Sequence, residues 1–243
     1  MPSQSEVGHA KNVANFQDLI EFVTAYGATY NPSKNSLKLP QLIALKASAD
    51  ATLADVITKN TNYNNKVNER ITAFSGLKSL STRLVNALQT TDATTETIGN
   101  AKTFNRKMQG KKASSSQTPT DPNTPAPNTI STSQQSYDQL IQHLAGLNSV
   151  LQAETSYTPN ETDLQVASIN AKIADLSAKN TAVATAYTSI SNSRIARNET
   201  LYTSATSLVE TALEVKKYIK SVFGATSPQY AQVKSIEFSK PRL

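Results

Sequence analysis

The chain has 243 residues and a formal net charge of +6, with 38% hydrophobic and only 17% charged residues. This length accommodates one large domain or two small ones, and so polar a chain builds narrow helical cores more readily than a thick globular one. The sequence contains no cysteine, which excludes disulfides and thiolate metal sites.

The N-terminal sequence MPSQSEVGHAKNVANF has no apolar segment of the kind found in signal peptides. Nowhere does the chain approach the roughly 18 uninterrupted apolar residues that a membrane-spanning helix needs. We therefore expect a protein of the cytoplasm with no segment inserted in a membrane.

Two similar phrases, YNPSKNSL at residues 30–37 and YTPNETDL at residues 157–164, mark the predicted starts of long helices. Their proline suits the first turn of a helix and keeps the residue before it out of the α conformation. Neighbouring Ser, Thr and Asn side chains offer capping oxygens. We interpret both phrases as helix starts rather than recognition loops. Tyr30 and Tyr157 are then expected in equivalent places, each ring packed against helices of its own half of the chain.

The phrases belong to a longer alignment between the two halves of the chain. Upstream, FQDLIEF at residues 16–22 resembles YDQLIQH at residues 137–143. Downstream, positions continue to match as far as the pair Arg70 and Arg197, beyond which one residue must be inserted in the first half. The shared order predicts an internal duplication.

The predicted copies occupy residues 1–112 and 136–243. The segment ASSSQTPTDPNTPAPNTISTSQQ, residues 113–135, is rich in Pro, Ser and Thr and predicts a flexible linker. Substitution of Pro125 or Pro127 in this linker is expected to change stability little.

Apolar residues after each phrase recur at helical spacing and often by sevens, which indicates a helical bundle or coiled-coil seam. Residues 58–70 and 187–197 interrupt the pattern with Asn and Ser, which compete with helical hydrogen bonding. Each stretch is either a tight turn between antiparallel helices, which we favour, or the polar part of one very long helix. The predicted fold is all-α, with two elongated bundles of about four helices each. Only SIEFSKPRL at the C-terminus alternates weakly, as a strand would.

No catalytic constellation is visible. The two histidines, His9 and His143, occupy different places in the two copies, so neither copy offers a histidine pair for metal binding or acid–base chemistry. The sequence has no phosphate-binding loop, dinucleotide fingerprint, nucleophile elbow or paired-histidine helix. We expect a protein that is not an enzyme and that needs no cofactor or metal.

Basic residues are the candidates for binding a partner or an anion. Arg70 and Arg197 stand where the apolar pattern breaks, with Glu69 and Glu199 nearby. The favoured interpretation is a partly buried ion pair that fixes the bundle register, and the alternative is an anion or partner site. Both copies also end in basic segments, whose candidate residues are Lys102, Arg106, Lys107, Lys111, Lys112, Lys216, Lys217 and Lys220.

Two longer stretches, SEVGHAKNVANFQDLIEFVTAYGATYNPS and SNSRIARNETLYTSATSLVETALEVKKYIKSVFGATSPQYAQVKSI, resemble a family of hypothetical proteins from the Bacteroidota. The resemblance covers most of the chain outside the Pro-rich segment. It implies a bacterial source and brings no activity, ligand or catalytic residue to this chain.

Two functional hypotheses follow. The favoured one is a non-enzymatic helical scaffold or interaction protein, with a protein partner or a second copy of itself as the binding partner. The alternative is a nucleic-acid-associated protein that uses the basic C-terminal segments of the two copies, because clustered cations attract phosphates.

Overall fold

A computed structural model describes residues 6–110 and 135–241. Its α-helices are α1 (Glu6–Ala25), α2 (Leu39–Phe74), α3 (Leu77–Gln89), α4 (Thr95–Gln109), α5 (Tyr137–Ala153), α6 (Val166–Asn198), α7 (Leu208–Phe223) and α8 (Pro228–Lys234). Short 3-10 turns at Gly27–Thr29, Asn35–Leu37 and Thr162–Leu164 lie between α1 and α2 and between α5 and α6, and a π-helical turn, Glu199–Thr203, follows α6. The described ranges contain no strand, which confirms the predicted all-α class.

The chain forms two compact units. Unit 1 consists of residues 1–63 and 186–243, and unit 2 consists of residues 64–185. The boundary between the units therefore falls within α2 and again within α6. Each unit draws helices from both predicted copies, so a compact unit is not the same as a sequence repeat, and the repeat boundaries stay a prediction. The predicted linker, residues 113–135, lies outside the described residues apart from Gln135.

The core of unit 1 forms where α1 contacts α7 and α8. Phe16, Leu19, Ile20 and Val23 recur at the spacing of one helical face of α1, and all four are buried. From the other end of the chain, the same core receives apolar side chains such as Val215 and Ile219 of α7. At about 25 cal/mol for each Å² of buried apolar surface, these side chains are the main stabilising contribution to this unit.

The core of unit 2 forms where α3, α4 and α5 contact one another. Here α5 comes so close to α4 that a Cβ atom at Gly146 would lie 2.3 Å from the ring of Phe104. Only glycine fits at this point of close approach. Between α2 and α3, Gly76 has a φ of 76°, a left-handed conformation that ends the long helix.

The turns favoured at residues 58–70 and 187–197 are wrong, because both stretches are continuous helix within α2 and α6. The hydroxyl of Thr61 donates to the carbonyl of Ile57 at 3.0 Å, so it bonds back within the helix. In unit 1, the hydroxyl of Ser193 also donates to the carboxylate of Asp55 at 2.6 Å. Helix propensity is a weak preference that such contacts override.

The two repeated phrases place matched tyrosines before α2 and α6. The hydroxyl of Tyr30 donates to the carbonyl of Leu37 at 2.7 Å, and that of Tyr157 donates to the carbonyl of Leu164 at 2.9 Å. Both tyrosines are buried. The ring of Tyr30 meets the ring of Tyr218 edge to face, with 5.2 Å between the centroids. Tyr30 belongs to the same core as Phe16 and Leu42 of its own half. Since Tyr218 lies on α7, Tyr30 also packs against the other half of the chain, which follows from the packing of α1 on α7.

Replacing either phrase tyrosine should destabilise the fold in two steps. Tyr30→Phe or Tyr157→Phe removes one buried hydrogen bond and should lower the free energy of unfolding by about 1 kcal/mol. The alanine variants also leave a cavity and should lower it by about 3–5 kcal/mol. Urea denaturation measures both steps, and Tyr187→Ala is the control, because Tyr187 is 52% exposed. If the alanine variants of Tyr30 and Tyr157 lower the free energy of unfolding no more than Tyr187→Ala does, but abolish binding to a partner, the two phrases are recognition loops.

These tyrosines should also make stability depend on pH in alkali. Burial raises the pKa of Tyr157 to about 12, with a smaller effect from Glu161 and then Asp163, whereas an unfolded tyrosine ionises near pH 10. Above about pH 10 the unfolded chain therefore holds fewer protons than the fold, so stability falls as the pH rises. Urea denaturation at about pH 9 and about pH 11 should show a smaller fall for Tyr157→Phe than for the parent chain. If the free energy of unfolding falls equally in the variant and in the parent chain, the pH dependence does not come from Tyr157.

Candidate functional site

A cluster of buried polar side chains lies in unit 1. His9, Asn12, Arg197 and Tyr202 are each at most 3% exposed. His9 and Asn12 stand three residues apart on α1 and so share one face of that helix, while Arg197 lies in the last turn of α6 and Tyr202 belongs to the π-helical turn. Buried polar groups of this kind are stable only when each has a hydrogen-bond partner.

Hydrogen bonds connect Tyr202 with His9 and Asn12 of α1. The backbone of Ser239 sets the orientation of the Asn12 amide, because its N–H donates to Oδ1 (3.1 Å) and its carbonyl accepts from Nδ2 (2.7 Å). Asn12 Nδ2 also donates to the Tyr202 hydroxyl oxygen at 3.2 Å. The Tyr202 hydroxyl oxygen also lies within hydrogen-bond distance of His9 Nδ1, at 2.6 Å. Tyr202 and Asn12 therefore join α1, the π-helical turn and the backbone of Ser239.

Arg197 is fully buried, and its guanidinium holds the side chain of its neighbour in the sequence. Nε and Nη2 both donate to Asn198 Oδ1, at 3.1 Å and 2.9 Å. Glu199, which the sequence suggested as an ion-pair partner, is exposed. Arg197 is therefore a buried structural group, not part of an accessible anion site.

Arg70 occupies a different environment, in unit 2. Its Nη1 donates to Asn180 Oδ1 at 2.9 Å, and its guanidinium carbon lies 4.0 Å from the centroid of the Tyr137 ring. Cation–π contacts of this kind contribute about 0.5–2 kcal/mol. Arg70 thus connects α2 to both α5 and α6.

The expected partner of Arg70 binds elsewhere, because Glu69 pairs with Lys66 at 2.7 Å and with Lys179 at 2.9 Å. Hydrogen bonds from Lys66 and then from Lys179 hold the pKa of Glu69 below its usual value. The predicted Arg70–Glu69 ion pair is therefore wrong. Two separate contacts join α2 to α6 instead, Arg70 with Asn180 and Glu69 with Lys179, and a role in fixing the register stays a prediction.

The basic residues of α4 divide between exposed and packed positions. Lys102 and Arg106, four residues apart on one face, are exposed. Lys107 is half-buried, with its Nζ 5.8 Å from the centroid of the Phe104 ring. Lys111 and Lys112 lie outside the described residues.

On α7, the predicted basic group is partly used inside unit 1. Lys216 donates to the carbonyl oxygens of Ile236 and Lys234, and burial lowers the pKa of its ammonium group. Lys220 lies with its Nζ 5.7 Å from the centroid of the Tyr230 ring, and Lys217 is exposed. Lys216 is therefore not available to an external anion, contrary to the sequence-based expectation.

Unit 2 contains a pocket of about 380 Å³ that the sequence did not indicate. Its lining includes Ser75, Leu80 and Lys172 together with the ion pair formed by Arg83 and Asp163. Arg83 binds the carboxylate through both terminal nitrogens, and hydrogen bonding to this guanidinium lowers the pKa of Asp163. Because Arg83 is already paired with Asp163, Lys172 is the remaining cation among the residues that line the pocket.

The most exposed apolar side chains include isoleucines on α2. Ile43 and Ile57 of unit 1 are 52% and 65% exposed, and Ile71 of unit 2 is 52% exposed. Successive isoleucines are separated by two heptads, or 14 residues, so Ile43 and Ile57 lie on one face of the helix. The short side chains of Ala47 and Ala54 between them are also exposed. We call the unit 1 part, from Ile43 to Ile57, the α2 face.

Comparison of the chain with protein-family models, with curated proteins and with solved structures finds no match. Within residues 6–110 and 135–241, no group of three or more His, Cys, Asp or Glu side chains is arranged to hold a metal ion. In the same residues, no helix combines the length and the apolar character needed to cross a membrane.

Arg197→Ala should destabilise unit 1 far more than a substitution at a neighbouring exposed arginine. Removing a fully buried guanidinium leaves a cavity and strands the Asn198 oxygen, and losses of about 3–5 kcal/mol are typical when one buried partner is removed. Arg194→Ala is the matched control, since Arg194 is exposed on the same helix and should change stability by no more than about 0.5 kcal/mol. Urea denaturation measures the free energy of unfolding of both variants. A folded, stable Arg197→Ala variant that has lost a binding partner would instead make Arg197 a ligand-binding residue.

Proposed function

We propose that this chain is a non-enzymatic helical interaction protein that associates with itself through the α2 face. The observation that carries the proposal is the exposure of Ile43 and Ile57 on one side of a long helix. Aliphatic side chains exposed singly are common, but a row of them on a regular element is typical of an interaction surface.

The α2 face has the form of a helix-packing surface. Its two isoleucines stand about 21 Å apart along the axis, at 1.5 Å per residue. The alanines between them allow a second helix to approach closely, as ridges of large residues pack into grooves over small ones. In an antiparallel pairing of α2 with α2 of an identical copy, Ile57 of each copy would lie over Ile43 of the other. The same contact would therefore form twice in a two-fold pair.

Charges at the centre of the α2 face are compatible with that pairing. Lys46 binds Asp50 at 2.8 Å along the same helix. In an antiparallel pair centred on Asp50, each carboxylate would meet lysines from both copies, which offsets the repulsion between the two acids. A polar pair at the centre of an apolar seam also specifies the register of two helices.

We also propose that the chain arose by duplication. In support, four α-helices precede residue 110 and four follow residue 135 among the described residues. A 3-10 turn ends each phrase, and each phrase tyrosine bonds the carbonyl seven residues later. The bacterial source, the flexible linker and the location in the cytoplasm stay expectations from the sequence.

Ile57→Lys should weaken self-association without disturbing the fold. The substitution puts a charge into an apolar contact and removes a residue of the kind that contributes about 2 kcal/mol to binding. Because this contact forms twice in the two-fold pair, the loss is about 4 kcal/mol and the dissociation constant should rise about 1000-fold. Sedimentation velocity over a range of concentrations measures it. Ile195→Lys on α6 is the matched control, because Ile195 is 62% exposed but lies off the α2 face.

A chain that stays monomeric at high concentration, or one in which both variants behave alike, would contradict the proposal. The competing hypothesis of nucleic-acid binding has less support, because Lys216 is turned inward. A mobility shift that weakens steeply with salt and is lost with Lys102→Glu and Arg106→Glu would favour it instead.

A further inference from the structure

The C-terminal residues Ile236–Lys240 lie extended against α1 and α7 without joining a sheet. Alternate side chains point inward, since Ile236 and Phe238 are half-buried whereas Glu237 and Ser239 are exposed. This is the alternation that the sequence showed in SIEFSKPRL. We call these residues the strap and the surface beneath them the strap groove.

Side chains of the strap groove hold the backbone of the strap. The Asn12 amide forms a two-point pair with the N–H and carbonyl of Ser239, at 3.1 Å and 2.7 Å. One helical turn later, Asn15 Nδ2 donates to the carbonyl of Glu237 at 2.6 Å. From α7, Lys216 donates to the carbonyl of Ile236. Because all of these bonds go to main-chain atoms, they recognise an extended peptide whatever its side chains, as edge strands do in peptide-binding domains.

Two side-chain contacts add sequence preference. The ring of Phe238 meets that of Phe16 edge to face at 6.5 Å, and Lys216 Nζ lies 5.3 Å from the Phe238 ring centroid. Lys240 forms an ion pair with Glu210. The groove therefore fits an extended segment with an aromatic residue and, two positions later, a cation.

We propose that the strap groove is a peptide-binding site that takes the strap of a second copy of this chain, so that two copies can exchange straps reciprocally. An identical strap would make every contact that the chain's own strap makes here, and no contact would be lost on exchange. Exchange of an identical element between two copies is a low-cost route to a dimer. The proposal goes beyond the α2 face and does not depend on it.

The first experiment uses two full-length variants that complement each other, both carrying Ile57→Lys to remove contacts through the α2 face. The groove variant carries Asn12→Ala and Asn15→Ala with an intact strap, and the strap variant carries Phe238→Ala and Ser239→Pro with an intact groove. Each alone lacks one partner of the exchange. When the two are mixed, the intact strap of the groove variant can enter the intact groove of the strap variant. It meets no competition there from an intramolecular strap, whose effective concentration is otherwise of millimolar order.

Sedimentation velocity should show a heterodimer in the mixture and monomers in either variant alone. No heterodimer, with both variants retaining the helical circular dichroism of the parent chain, would overturn the proposal. A heterodimer that forms equally when the groove variant also carries Phe238→Ala would overturn it as well.

A second experiment decides the matter if either variant fails to fold. The chain has no cysteine, so Asn15→Cys in one full-length chain and Glu237→Cys in another can form a disulfide between strap and groove only across two copies. With Ile57→Lys in both chains, oxidation of the mixture should yield the crosslinked dimer at least about ten times faster than a control mixture of Glu237→Cys with Glu199→Cys, an exposed position in the π-helical turn. Equal rates would overturn strap exchange while leaving the α2 face untouched.

Discussion

The core of unit 1 depends on packing the first helix of the chain against the last ones. Hydrogen bonds from Asn12 reach Tyr202 and Ser239, which are 190 and 227 residues away in the sequence. Closing so long a loop costs conformational entropy before any contact compensates for it, and contacts of large sequence separation slow folding. The buried polar cluster can therefore form only when both ends of the chain have met, and unit 1 gains its specific packing as a consequence of that meeting.

The sequence predicted helices well where one apolar face repeats at a fixed interval. Phe16 and Leu19 were placed correctly, because helical spacing reports burial on a short amphipathic helix. Residues 187–197 were wrongly predicted as a turn, because local propensity does not include the contacts of a neighbouring helix, such as the hydrogen bond from Ser193 to Asp55. Nothing in the sequence indicated the role of Asn12. An asparagine whose side chain binds the backbone of a residue about two hundred positions later cannot be distinguished, in the sequence, from an asparagine on the surface.

The candidate binding residues show the same limit. Lys102 and Lys216 both belong to basic helical segments, yet one is exposed and the other is enclosed by the carbonyl oxygens of the strap. Similarly, α2 carries Leu42 and Ile43 side by side, of which the first is buried and the second is 52% exposed. The sequence contains both stripes of this helix, but only the packing of its neighbours decides which stripe is covered. Surfaces for association are therefore defined by tertiary structure, whereas the helices that present them are defined locally.

The chain leaves α6 through a π-helical turn, Glu199–Thr203. The N–H of Ser204 donates to the carbonyl of Glu199, five residues earlier, at 3.3 Å, so this turn accommodates one residue more than an α-helical turn. Inserted into a regular α-helix, one residue would rotate every later side chain by about 100°. With the wider turn, Leu201 and Tyr202 stay buried. Because Ser204 is extended and α7 begins only at Leu208, the wider turn acts locally: it keeps these two side chains in the core of unit 1 before the chain leaves the helix.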